Sequence, residues 1–204
     1  MNGLFDQPGT PVSLNLLFKG ERAYLHGTDM VDALAAIAPG LIEISLRIQK
    51  VAEHPLAAVL LSGESADYGE VVATVRASRD GQKINIALVE NRSAPPPGRY
   101  EYDEDDVVGQ ATIGNEEQIA EMSWNDRYSS IEQIVTLHKA LLTQCFAASG
   151  ARWYFSRLDV PRFPSAFAKL SLAVTQALGT SLVRSGIAID GQPFGNIYFS
   201  GVKK

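Results

Sequence analysis

The 204-residue chain is poor in cysteine and histidine, has no excess of basic charge and contains no long apolar run, and each shortage removes a class of function. Its single cysteine, Cys145, excludes an internal disulfide and any zinc cage built from several thiolates. The helical apolar pattern around Cys145 makes it a buried small hydrophobe. Only three histidines occur, His26, His54 and His138, too dispersed to give a metal-ligand spacing, so no metal is expected. Lys and Arg total 18 against 23 Asp and Glu, a net charge of -5, whereas a nucleic-acid surface needs clustered basic residues in excess. There is no Gly-x-Ser-x-Gly elbow of a serine hydrolase and no Gly-x-Gly-x-x-Gly loop of a dinucleotide site. No segment reaches about 18 uninterrupted apolar residues, so no membrane span is expected. The start Met1-Asn2-Gly3-Leu4-Phe5-Asp6 lacks the basic and apolar regions of a signal peptide, and a cytoplasmic location is the expectation.

What the chain does have is a core's worth of apolar residues, 46% of the total, and an internal repeat. At an offset of 110 residues, Asp80-Gly81-Gln82 recurs as Asp190-Gly191-Gln192, Gly40 as Gly150, Arg47 as Arg157 and Leu60 as Leu170. Pairing 38–91 with 148–201 gives nine identities in 54 positions without a gap. The matches fall on structural punctuation. Asp-Gly between two apolar runs is a strong hairpin signal, because both central residues of a type I′ turn need positive φ. The residues 41–91 are therefore expected to overlay 151–201 strand for strand.

Periodicity fills in the elements. In the first half, Val12 to Phe18 reads as a strand and Lys19 to Gly27 as a polar connection. A helix begins at Thr28 or Asp29 and runs to Ile37. Strands follow at Leu41–Ile48, Leu56–Leu61, Val71–Ala77 and Ile84–Val89. Residues 93–106 read as a linker, with Pro95-Pro96-Pro97-Gly98 followed by a solvated acidic run from Glu101 to Asp106. The second half places strands at Val107–Ile113 and Gln118–Met122. A long helix then opens with the capping box of Ser129 and Glu132 and runs to Gly150. Strands at Arg152–Val160, Lys169–Leu178, Thr180–Ile189 and Phe194–Ser200 complete it. The domain division is thus 1–92, 93–106 and 107–204.

This order of strand, helix and several antiparallel strands, stated twice, resembles the double hotdog proteins. The resemblance implies an α+β fold of two tandem hotdog-like units, each a curved antiparallel sheet wrapped around one central helix. It also implies work on acyl thioesters carried by coenzyme A or the phosphopantetheine arm of an acyl carrier protein, with no bound cofactor. The leading expectation is a dehydratase or hydratase of 3-hydroxyacyl groups. A thioesterase and a non-catalytic acyl-binding or assembly protein are the alternatives, and a homodimer is compatible with the family.

His26, in Tyr24-Leu25-His26-Gly27-Thr28-Asp29 ahead of the first helix, resembles the placement of the dehydratase histidine. Imidazole titrates near neutral pH and suits a general base. Glu132, on the first turn of the other helix, and Asp126, just before it, are the candidate acids. Glu132 also reads as the capping partner of Ser129. Arg152 and Arg157 are candidates for the carrier's phosphates. His138 lies on an apolar stripe and reads as a satisfied core histidine, while His54, beside Pro55, reads as solvated.

Overall fold

The two Asp-Gly sequences make the same turn. Asp80 and Gly81 have φ of 51° and 76°, and Asp190 and Gly191 have 53° and 77°. Each joins two strands across a two-residue loop, with Arg79 opposite Gln82 and Ile189 opposite Gln192. Positive φ at both central positions is what a type I′ turn demands and what Asp-Gly tolerates best. The computed structural model describes residues 9–61 and 69–203. It divides into two units, 1–102 and 103–204.

The first unit contains β1 (Val12–Leu14), β2 (Phe18–Lys19), α1 (Gly27–Ile37), β3 (Ile42–Ile48), β4 (Leu56–Leu60), β5 (Glu70–Arg79), β6 (Gln82–Glu90) and β7 (Arg99–Tyr100). Its antiparallel sheet has the order β1-β4-β6-β5-β3. The central strand β6 is buried from Ile86 to Val89 without a break. An uninterrupted apolar run is what a strand covered on both faces requires. Helix α1 buries Met30, Val31 and Leu34, and the chain leaves it through Gly40 at φ 80°. The strand expected over Val12–Phe18 is two short ones. Asn15, Leu16 and Leu17 separate them, and β2 pairs in parallel with β7 instead of joining the main sheet.

The second unit contains α2 (Glu104–Val108), β8 (Thr112–Gly114), β9 (Ile119–Ser123), α3 (Ser130–Cys145), β10 (Ala151–Arg162), β11 (Lys169–Leu178), β12 (Leu182–Ile189) and β13 (Gln192–Lys203). Its sheet order is β8-β9-β11-β12-β13-β10. Helix α3 packs against β9, β10 and β11 and buries Ile131, Ile134, Val135, Leu137, Leu141 and Leu142. It ends at Cys145, and a 3-10 turn, Ala147–Ser149, carries the chain to Gly150 at φ 60°.

Two expectations need correction. The hairpin is repeated, but its place in the sheet is not. In the first unit its leading strand, β5, lies beside β3, whereas in the second its trailing strand, β13, lies beside β10. Connection length is the physical reason. Only residues 179–181 separate β11 from β12, so the two must be antiparallel neighbours. Between β4 and β5 stand residues 61–69, and these strands run parallel with β6 between them. The second correction concerns the linker. Arg99–Tyr100 is paired to β2, and Asp103 caps α2 by accepting the N–H groups of Asp105 and Asp106 at 3.0 and 3.3 Å. The acidic run thus starts a helix, as carboxylates near its positive end favour. That helix takes Val107 and Val108 out of the expected strand, which shrinks to Thr112–Gly114.

Among the described residues, no helix is long and apolar enough to cross a membrane.

Candidate active site

The polar connection ahead of α1 hides a charged residue that local pattern does not reveal. Lys19 is fully buried, and its ammonium lies 2.9 Å from Asp29 Oδ1 and 3.0 Å from Thr28 Oγ1. A buried ammonium needs such partners, since desolvation otherwise outweighs anything its packing returns. The ring of Tyr102 stands 4.3 Å from Lys19 Nζ, within cation–π range. Tyr100 donates its hydroxyl to the Asp29 carboxylate at 3.1 and 3.3 Å. Two backbone bonds bring Tyr100 there: Phe18 N–H to Gly98 O, 2.8 Å, and Gly20 N–H to Tyr100 O, 2.9 Å. Residues expected to be linker therefore complete this cluster.

His26 is the N-cap of α1 in extended conformation, and its side chain does not cap the helix. Its Nδ1 lies 2.8 Å from Thr28 Oγ1 instead. The first backbone bond of the helix runs from Met30 N–H to His26 O at 3.3 Å. The N–H groups of Gly27, Thr28 and Asp29 thus precede the helical ladder, the polarity that attracts developing negative charge. His26 and Gly27 are half-buried.

The other predicted residues belong to the second unit. Glu132 closes the capping box, its Oε2 accepting Ser129 N–H at 2.8 Å while Ser129 Oγ accepts Glu132 N–H at 3.2 Å. Asp126 is exposed in a loop pinned by the buried Gln133. Gln133 Oε1 accepts Asn125 N–H at 3.0 Å, and its Nε2 donates to Asn125 O and Tyr128 O at 2.8 and 3.0 Å. Arg157 binds Asp159 through Nε at 2.9 Å and Nη2 at 2.7 Å, and its guanidinium lies over the Tyr198 ring. That pairing neutralises the charge a phosphate would need. Arg152 is exposed on β10.

The remaining candidates are structural. His138 is fully buried, with Nε2 2.7 Å from Ser185 Oγ, and burial pushes its pKa down to about 3. A ring held neutral through the physiological range is a core histidine, as its stripe implied, but it is satisfied at Nε2 only, since its buried Nδ1 has no hydrogen-bond partner among the described residues. His54 is half-buried, not fully solvated as expected. Its Nδ1 is buried 3.5 Å from Glu90 Oε1, because Glu90 also accepts the Glu53 and His54 N–H groups and draws that turn onto β6. Cys145 is only half-buried, since it sits in the last turn of α3, past the packed stretch. Burial nevertheless raises its pKa, so it is no ready nucleophile. No group of three or more potential metal ligands occurs among the described residues.

No protein-family model and no curated protein sequence matches the chain. Solved structures do. A protein assigned as a thioesterase, from Novosphingobium aromaticivorans, aligns at 13% identity and a TM-score of 0.50, covering 95% of this chain and 94% of that one. The tesB protein of Mycobacterium avium subs paratuberculosis aligns at 9% identity and 0.46 over 91% and 89%. The dehydratase domain of PpsC from Mycobacterium tuberculosis, solved with C12:1-CoA, aligns at 12% identity and 0.47 over 94% and 88%.

Proposed function

The fold is that of the hotdog proteins, two tandem units in an α+β chain, and from it we propose that the protein acts on acyl thioesters, with His26 as general base and hydrolysis as its reaction. The observation that carries this reading is the mouth of α1. A half-buried imidazole, tied through Nδ1, stands one residue before N–H groups that the helix leaves unpaired. Hydrolysis needs little more. His26 Nε2 takes a proton from water as the water oxygen bonds to the carbonyl carbon. The carbonyl oxygen gains negative charge and accepts hydrogen bonds donated by the Gly27 and Thr28 N–H groups. The C–S bond then breaks, and the imidazolium returns its proton to the departing thiolate. Coenzyme A or a phosphopantetheine arm is the proposed thiol.

Dehydration of a 3-hydroxyacyl group uses the same base on an α-proton, but needs an acid for the departing hydroxyl. The carboxylate of Glu132 is engaged at its own helix end, and this favours hydrolysis. A panel of acyl-coenzyme A esters of varied chain length, assayed for released thiol and for hydration, tests the proposal. Thiol release by the wild type, lowered about 100-fold or more in folded His26→Ala, is expected. Hydration without thiol release would replace hydrolysis by the dehydratase reading. Saturable binding without turnover of any ester would make the chain an acyl-binding protein.

A further inference from the structure

Thr28, like Lys19, is fully buried within the cluster. Its hydroxyl lies 3.0 Å from Lys19 Nζ, 2.8 Å from His26 Nδ1 and 3.1 Å from Asp29 Oδ1. A hydroxyl offers one hydrogen and two lone pairs. Lys19 can only donate, so it takes one lone pair. Asp29, as a carboxylate beside an ammonium, can only accept, so it takes the hydrogen. What remains for His26 is the second lone pair, and Nδ1 must meet it with a proton.

We propose that Thr28, its hydroxyl oriented by Lys19 and Asp29, is a positioning residue that holds His26 in the Nδ1–H tautomer and leaves Nε2 with the lone pair a base requires. The use of that lone pair rests on the reading of His26 as general base, whereas the proton on Nδ1 is argued from the three contacts of the Thr28 hydroxyl. The opposite tautomer would set two acceptors, Nδ1 and Asp29 Oδ1, against one hydroxyl hydrogen, and leave a lone pair of the buried oxygen unused. Tyr100 supports the arrangement at one remove. Its hydroxyl reaches both Asp29 oxygens and fixes that carboxylate beside Thr28.

The test is nitrogen-15 NMR of the imidazole in the intact chain, at a pH where the ring is neutral, because protonated and bare ring nitrogens resonate far apart. The wild type is expected to show His26 protonated at Nδ1 and bare at Nε2. Thr28→Val, which keeps the shape and removes the hydroxyl, should abolish that preference and lower kcat about 10- to 100-fold at little change in KM. Thr28→Ser should restore both. A wild-type spectrum with the proton on Nε2 overturns the proposal whether or not any variant folds, and so does an unchanged tautomer in folded Thr28→Val. If the tautomer results hold but His26→Ala turns over thioesters as the wild type does, the tautomer assignment stands and the base assignment falls.

Discussion

Single side chains in this protein couple its stability to pH through two buried groups, and both act in the same direction. His138 has a folded pKa of about 3 against an ordinary 6.5, so below pH 6.5 the unfolded chain binds a proton that the folded chain refuses. Stability held by the neutral ring is therefore present above 6.5 and is lost as pH falls toward 3. Glu90 behaves alike for a different reason. Burial pushes its carboxyl up, but the Glu53 N–H, the Arg92 guanidinium and the His54 N–H together hold it below its ordinary 4.5. Its contribution is present above 4.5 and disappears as the folded carboxylate is protonated. Chemical denaturation from pH 7 to 4 should show His138→Gln gaining on the wild type by up to ~1.4 kcal/mol per pH unit below 6.5. Parallel pH profiles for the two proteins would mean that the folded ring accepts its proton normally. Ser185→Ala, which strips His138 Nε2 of its partner, should cost about 1–3 kcal/mol at pH 7 in the same assay.

At the scale of elements, α3 and β13 carry the sharpest expectations. Leu141 is wholly inaccessible on the packed face of α3, so Leu141→Ala should cost about 2–5 kcal/mol, the range for large-to-small core changes. A loss below about 1 kcal/mol would show that this helix face is not part of the core. Gly201 in β13 is constrained from outside the strand. A Cβ there would lie 2.2 Å from Thr180 O and 3.0 Å from the Trp153 ring. Backbone cannot retreat as a side chain can, so Gly201→Ala should lower the thermal midpoint. Gly191→Ala, with no atom within 4 Å of its Cβ, should be strained only by its φ of 77°. These elements were legible to different degrees. The capping box and the 3.6-residue stripe announced α3 in the sequence. The close approach at Gly201 did not show, because Thr180 is not its neighbour in the chain.

At the scale of the molecule, the division at 102/103 makes a claim about exchange. Phe18 and Gly20 donate to Gly98 and Tyr100, so in native-state hydrogen exchange their amides should be protected like the rest of the first unit. Exchange of Phe18 and Gly20 as fast as at exposed Arg92 and Ser93 would return residues 98–102 to a loose linker. A linker was the natural reading of three prolines and an acidic run. Tyr100 and Tyr102 were the visible sign against it, two aromatic rings in a stretch with nothing local to cover them.

The sequence by itself determined what depends on neighbours along the chain. The two type I′ turns follow from Asp-Gly, the helix starts from His26-Gly27-Thr28-Asp29 and Ser129 to Glu132, and the repeated unit from an offset that keeps this punctuation in step. The tertiary structure alone decided which strand stands beside which, since β5 and β13 occupy unlike places in sheets built from like hairpins. It alone made Lys19 a buried ion. The partners of that ammonium and of Asp29 lie on α1 and beyond β6, Tyr100 standing 71 positions after Asp29 along the chain. A periodic pattern reports burial of apolar faces. It is silent about a cation enclosed by distant oxygens and rings, because nothing local distinguishes such a lysine from one in water.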